Sequence, residues 1–256
     1  MHPSSPEFQS LSPFQQLVEV VAALRAPDGC PWDRQQTHQT LTPFMIEEAY
    51  ECVEALELDD DPKMVEELGD LAFQVVLHAQ LARERGAFDV EDVCRGIVAK
   101  MVRRHPHVFE RNGDLDTPAA VLQQWDQIKK REKPQTSALD GVSPGLPSLP
   151  QAALLQERAA RNGFAYPDAE AAWAKLQEEL EEFRAQPSEA ELGDVLFALV
   201  SLAHQHGLDP EAALRGTNRK FRQRYQGLER HFPEGLQARN PEELVSAWRE
   251  IARQSP

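Results

Sequence analysis

Apolar residues recur along this chain at steps of three and four, and almost nowhere at steps of two. That spacing gathers them on one face of a helix, whereas alternation would mark a half-buried strand. Helices are therefore expected near Phe14–Leu24, Thr42–Leu58, Pro62–Arg85, Val90–Arg104 and Pro118–Arg131. A second set is expected near Leu149–Arg161, Asp168–Arg184, Ser188–Gln205, Pro210–His231 and Pro241–Arg253. Between the sets, KPQTSALDGVSPGLPSLPQ carries prolines at 134, 144, 147 and 150, a composition that marks a linker. The expectation is an all-α protein with one domain over 14–132, a Pro-rich linker over 133–150 and a second domain over 151–254.

The two sets resemble each other. ELGDLAFQVV (Glu67–Val76) matches ELGDVLFALV (Glu191–Val200), an offset of 191 − 67 = 124. Downstream, Asp89–Gly96 aligns with Asp209–Gly216 at an offset of 120, which also pairs Lys100 with Lys220 and Arg104 with Arg224. Trp125 and Trp248 close the two sets, 123 apart. Shared order with small gaps indicates tandem duplication of one helical domain.

Composition narrows the chemistry. A net charge of −15 over 256 residues argues against a nucleic-acid binder, which would carry a basic excess. It leaves room for an anionic small substrate, because local basic residues or a bound cation can invert the local field. Cys30, Cys52 and Cys94 are odd in number and widely spaced, so neither a disulfide framework nor a zinc site is expected. No run of about 18 apolar residues is present to span a membrane. MHPSSPEFQSLSP has neither the basic nor the apolar stretch of a leader peptide, and a cytoplasmic protein is expected.

Carboxylates then claim attention. With Glu47 at zero on a helical wheel, Glu51 falls near 40° and Glu54 near 340°, opposite Ile46, Ala49, Tyr50, Val53 and Leu56. Taken alone, that helix fits an ordinary solvated face. The ELGD helix differs, being apolar nearly all round, with Glu67, Asp70, Gln74 and His78 on one narrow stripe. In the second copy, Glu191 and Asp194 are the only ionisable groups between Glu191 and Ala203. Buried carboxylates are costly unless paired, protonated or bound to a metal. Ser188 and Glu191 also have the spacing of a capping box, but Met64 stands in the equivalent place before Glu67. Packing salt bridges are the other use such residues could have. The candidate ligands are Glu47, Glu48 and Glu51 with Glu67 and Asp70, and Glu178, Glu179 and Glu182 with Glu191 and Asp194. An all-carboxylate set favours Mg²⁺, with Mn²⁺ as a substitute, over zinc. A di-iron bundle would place Glu-x-x-His where this chain has Glu-x-x-Asp.

EEAYE followed by ELGD, and EELEE followed by ELGD, resemble the motifs of the MazG nucleoside triphosphate pyrophosphohydrolases, in the all-α NTP pyrophosphatase superfamily. GCPWDRQQTH (Gly29–His38), RRHPHVF (Arg103–Phe109) and WDQIK (Trp125–Lys129) extend the resemblance from about Phe14 to Arg253. It implies hydrolysis of NTPs or dNTPs to the monophosphate and pyrophosphate, with Mg²⁺ and water attack at the α-phosphorus, in a homodimer that clears surplus or non-standard nucleotides. It implies that Glu178, Glu179, Glu182, Glu191 and Asp194 bind metal in the catalytic copy, one glutamate also activating the water. Asn218, Lys220 and Arg224 match the family's phosphate-contacting group, and Trp248 either closes the nucleotide pocket or packs in the core. The first copy has Val98 in place of Asn218, so turnover is expected in the second. Two alternatives stay open: a regulatory nucleotide binder without turnover, and a narrower enzyme of the dUTP-pyrophosphatase type. CPWD is expected to be a tight turn with Trp32 in the core. Arg103–His105 would either grip phosphate or favour a helix C-terminus. Phe164 and Tyr166 would either stack on a base or anchor a loop.

Overall fold

The structure is a computed structural model describing residues 4–110, 117–132, 137–237 and 239–254, without the side chains of 119, 126, 129–131 and 254. Part of the WDQIK motif and the start of the Pro-rich segment therefore lie outside the described residues. Thirteen helices and no strand are found among those described. They cluster into two units, Met1–Glu132 and Lys133–Pro256.

Unit 1 holds α1 (Pro6–Gln9), α2 (Pro13–Arg25), α3 (Pro31–Gln35), α4 (His38–Leu58), α5 (Asp61–Glu84), α6 (Val90–Arg104), α7 (Pro106–Phe109) and α8 (Pro118–Glu132). The five long helices follow the apolar period closely. The three short ones each begin on a proline, whose fixed φ suits a first turn but whose span is too short for a period to show. Helix α4 starts a turn earlier than expected, because Thr37 and Thr40 form a reciprocal cap and Pro43 is accommodated inside the helix. Asp59 turns the chain with φ +54° and Asp60 caps α5, so α4 and α5 form a hairpin across two residues. Val21, Leu41, Val76, Leu77, Ala79 and Val90 make the core between α2, α4, α5 and α6.

The GCPWD segment corrects one expectation. Trp32 is 52% exposed and meets Phe44 edge-on at 5.8 Å, so it does not plug the core. The buried member is Asp33, whose carbonyl accepts from Arg25, which in turn pairs with Glu84 at 2.6 Å. Gly29 is required here by proximity, since a Cβ would stand 2.4 Å from the carbonyls of Ala23 and Leu24.

Unit 2 holds α9 (Ser148–Arg161), α10 (Ala169–Ala185), α11 (Glu189–Gln205), α12 (Pro210–His231) and α13 (Pro241–Gln254). Helices α10 and α11 form its hairpin around Ala172, Leu176, Val195, Ala198 and Leu202. Helix α9 packs against α11 and α12, and α13 against α12, where Gly227 admits Ile251 within 3.0 Å of a notional Cβ. Neither ELGD helix is buried all round. Leu192, Leu196 and Leu199 leave an exposed apolar stripe along α11, and Leu68 and Val75 repeat it on α5.

Candidate functional site

In α4 the stripe that meets α5 runs Glu48, Cys52, Ala55, the last two buried, at the i, i+4, i+7 spacing of one helix face. It is a different stripe from the Glu47–Glu51–Glu54 face of the wheel. Ile46 and Leu56, opposite that face, are more than half exposed. Across the hairpin, α5 presents Glu67 and Asp70 from consecutive turns. The result is a triad in which oxygens of Glu48, Glu67 and Asp70 all lie within 4.8 Å of one another.

The triad carries its own repulsion. Burial raises the Glu48 carboxyl above its usual 4.5, and Asp70, Glu51, Glu67 and Glu47 push it in the same direction. Burial also raises Glu67, reinforced by Glu51 and opposed by Lys63. Lys63 is committed elsewhere, to Glu54 at 2.9 Å. Glu47 and Glu51 are exposed at the rim and act on the triad through their charge. Three crowded carboxylates, one of them only 7% exposed, form an oxygen-only donor set that fits a hard divalent cation.

Unit 2 repeats the arrangement with one addition. The stripe Ala172, Leu176, Glu179 faces α11, and oxygens of Glu179, Glu191 and Asp194 again lie within 4.8 Å of one another. Ser188 accepts from the Glu191 backbone N–H at 3.2 Å, but the Glu191 carboxylate joins the triad in place of completing a capping box. The addition is Lys175, whose Nζ lies 2.7 Å from Glu178 and 2.7 Å from Glu179. Glu178, then Glu179, hold this ammonium protonated well above its usual range. Phe44 occupies the matching position in α4. Sequence reasoning passed over Lys175, although its place four residues before Glu179 puts both on one face. Glu178 and Glu182 are exposed beside the triad and are not members of it.

The residues expected to bind substrate divide. Lys220 and Arg224 share one face of α12, whereas Asn218 stands roughly 200° from Lys220 around the helix. Asn218 lines an open hollow of about 540 Å³ with Phe221, Arg222 and Tyr225. Trp248 closes on that side, its ring 5.3 Å from Phe221, which stacks on Tyr225 at 6.1 Å. In unit 1, Arg104, the counterpart of Arg224, is bonded to Glu132.

Beyond the unit 1 triad the polar stripe of α5 continues inward. Gln74 is buried, and His78 stacks on His38 with their Nδ1 atoms 2.8 Å apart. Burial, and the neighbouring His38, hold the His78 imidazole below its usual 6.5. The matching positions in unit 2 are Ala198 and Leu202, both core residues.

Residues 36–109 match the family model described as a MazG nucleotide pyrophosphohydrolase domain. The matched stretch spans the first triad. The chain is 45% identical over 222 residues to a nucleoside triphosphate pyrophosphohydrolase/pyrophosphatase MazG of Thermotoga maritima, covering 84% of this chain and 85% of that protein. It is 38% identical over 260 residues to a nucleoside triphosphate pyrophosphohydrolase of Escherichia coli K12, covering 95% of this chain and 98% of that one. A Bacillus subtilis protein of uncharacterized function, YabN, is 44% identical over 226 residues, which cover 84% of this chain and 46% of that protein.

Proposed function

The chain belongs to the MazG nucleotide pyrophosphohydrolase family, and from that membership we propose that it hydrolyses nucleoside triphosphates, ribo or deoxy, to the monophosphate and pyrophosphate. One observation carries the reading: in each unit, the two helices of one hairpin bring three carboxylates within 4.8 Å of one another. Burying like charges is unfavourable on its own, and it is intelligible as a cation site. Glu179, Glu191 and Asp194 would hold Mg²⁺, or Mn²⁺ in its place, with Glu178 and Glu182 exposed beside them. The bound ion would neutralise the triphosphate and polarise the attacked phosphorus.

The chain's own groups then account for the rest of the step. A water oxygen forms a bond to the α-phosphorus, and the bond from that phosphorus to the α–β bridging oxygen breaks. One glutamate of the set takes the proton from the water, and pyrophosphate leaves. Lys220 and Arg224, one helical turn apart, would carry the charge of the departing phosphates. Trp248, with Phe221 and Tyr225, offers an aromatic surface for a base. Unit 2 is the seat of turnover on this reading. It alone has Asn218 with both basic residues, since Val98 stands at that place in unit 1.

The working species is a homodimer. Leu192, Leu196 and Leu199, with Trp173 and Leu180 on α10, present an apolar face that a single copy leaves half exposed. Among the described residues, no helix is long and apolar enough to cross a membrane.

The test is product identity. Each NTP is incubated with Mg²⁺, and NMP with pyrophosphate is resolved from NDP with phosphate. NMP and pyrophosphate, lost in Glu179→Gln, is the expected result. Nucleotide bound without turnover would instead identify a regulatory binder of the same fold.

A further inference from the structure

Unit 2 holds a further cavity, of about 440 Å³, between α9, the loop that follows it and the C-terminal half of α11. That volume is near the lower end of small-molecule sites, which run from about 300 to 1,000 Å³. Ala159 and Ala160 leave the room on α9, and Phe164, Tyr166 and Phe197 bring rings to the walls. The loop is fixed in place. Gly163 takes φ +87° to end α9, and the Phe164 N–H donates back to the Ala159 carbonyl at 2.9 Å. Gln205 Nε2 donates to the Tyr166 carbonyl at 3.1 Å, which ties the loop to α11. Leu139 adds another wall, on a turn that Arg158 of α9 grips through the Asp140 carbonyl.

The polar groups of the cavity are few and ask for one kind of partner. Gln156 Nε2 donates to the Phe197 carbonyl at 2.8 Å, which fixes the amide, because a flipped amide would set oxygen against oxygen. Its Oε1 is thereby left shut away from water with no donor against it. Ser201, itself buried, gives its hydroxyl proton to the same carbonyl at 3.2 Å, so its Oγ also remains as an acceptor. A buried acceptor without a donor is unfavourable, and it marks a place where a donor is wanted. Among the described residues that line the cavity, none is a carboxylate, an ammonium or a guanidinium. A phosphate would therefore enter without a counter-charge. Phe164 is 83% exposed and Phe197 47%, so two rings stand free to stack. Ser201 lies seven residues beyond Asp194, about 10 Å along α11, which sets the cavity apart from the carboxylates.

We propose that this cavity is a binding site for a small, uncharged, flat heteroaromatic molecule that carries a ring N–H and no phosphate. The ring lies against Phe164 and Phe197, and the N–H donates to Gln156 Oε1. Binding joins α9, its loop and the turn at 137–141 to α11. The site is separate from the acidic triad and does not depend on the function proposed above.

The experiment is calorimetric titration of the full chain with indole and with N-methylindole, which has the same rings and no N–H. Wild type should bind indole saturably and N-methylindole about threefold to tenfold more weakly, the scale of one neutral hydrogen bond. Gln156→Leu should bind the two alike, an outcome that a merely structural role for Gln156 would not produce. Phe164→Ala, a change at an exposed rim residue, should weaken both probes about threefold. No saturable binding by the wild type, or a preference for indole that survives in Gln156→Leu, would overturn the proposal. If Gln156→Leu loses its helical circular dichroism, Phe164→Ala decides, and unchanged affinity there overturns it equally. An α,β-imido nucleoside triphosphate with Mg²⁺ is then added to the indole complex. Indole should stay bound, and its displacement would make the cavity part of the nucleotide site and overturn a separate one. NTP turnover is measured in parallel. Intact turnover without indole binding sinks only this site, and indole binding without turnover sinks only the proposed function.

Discussion

The two acidic triads have the same skeleton and opposite electrostatics. In unit 1, Glu48, Glu67 and Asp70 crowd together with Glu47 and Glu51 at the rim, and Lys63 is turned to Glu54. In unit 2, Lys175 lies against Glu178 and Glu179 beside the triad. The positions proposed to meet phosphate differ as well. Unit 1 has lost Asn218 to Val98, and its Arg104 is held by Glu132. One unit thus has a crowded acidic site and an arginine pair held by one carboxylate. The other has Lys175 against its acidic site, and Asn218, Lys220 and Arg224 along α12. Metal affinity and turnover need not reside in the same copy.

The largest test of that division is charge removal within each triad. Glu179→Gln is expected to lower kcat by about 10²- to 10⁴-fold, the range for losing a positioned acid–base or ligand group. Glu48→Gln is expected to leave kcat within about twofold. Equal losses in the NMP assay would mean that both units turn over, and a loss confined to Glu48→Gln would move the reaction to unit 1. Copying unit 1 into unit 2 sharpens the same point. Asn218→Val should cost about tenfold in kcat/KM, the scale of one polar contact to a charged ligand, with little change in melting temperature.

A thermodynamic test follows from the raised carboxyls. The folded protein holds protons on Glu48 and Glu67 more tightly than the unfolded chain, whose value is near 4.5. Their contribution to stability is therefore present below about pH 4.5 and lost as pH rises through the higher folded values. Mg²⁺ should raise the melting temperature by a few degrees at pH 7.5 and by much less at pH 5. An Mg²⁺ effect equal at both pH values would remove the triad as its source. The smallest effect is expected at the histidine pair. His78→Leu, which copies Leu202, should change stability by within about 1.5 kcal/mol, as tolerated core swaps do. Because the folded His78 value is depressed, wild type holds that group's stability above pH 6.5 and loses it as pH falls. The variant should be flatter over that range in urea melts.

Much of the fold was legible because every long helix has an apolar period and a punctuating residue. Asp89, Asp168, Ser188 and Asp209 each cap the helix that follows. Acidic membership was legible only as a set. The wheel aligned Glu47, Glu51 and Glu54, whereas packing selected Glu48, because small side chains at Cys52 and Ala55 let α5 approach along that line. No local rule ranks three neighbouring glutamates, since the choice is made by which stripe meets the partner helix. Trp32 misled for a related reason: a large apolar residue suggests a core plug, but burial of Asp33 beside Arg25 turned the indole outward. Glu132 was not foreseen at all, because its partners lie 28 and 29 residues away.

Lys175 gives the second site a resident counter-charge. An ion arriving at Glu179 meets a carboxylate that already has a counter-charge, so occupancy there is an exchange of one cation for another. At the first site Phe44 stands where Lys175 stands in the second, and the mutual repulsion of the triad would be relieved by the first ion to arrive. Titrated with Mg²⁺, the chain should fill unit 1 at the lower concentration. On the function proposed above, turnover should then appear at a higher magnesium concentration than metal binding to the chain as a whole.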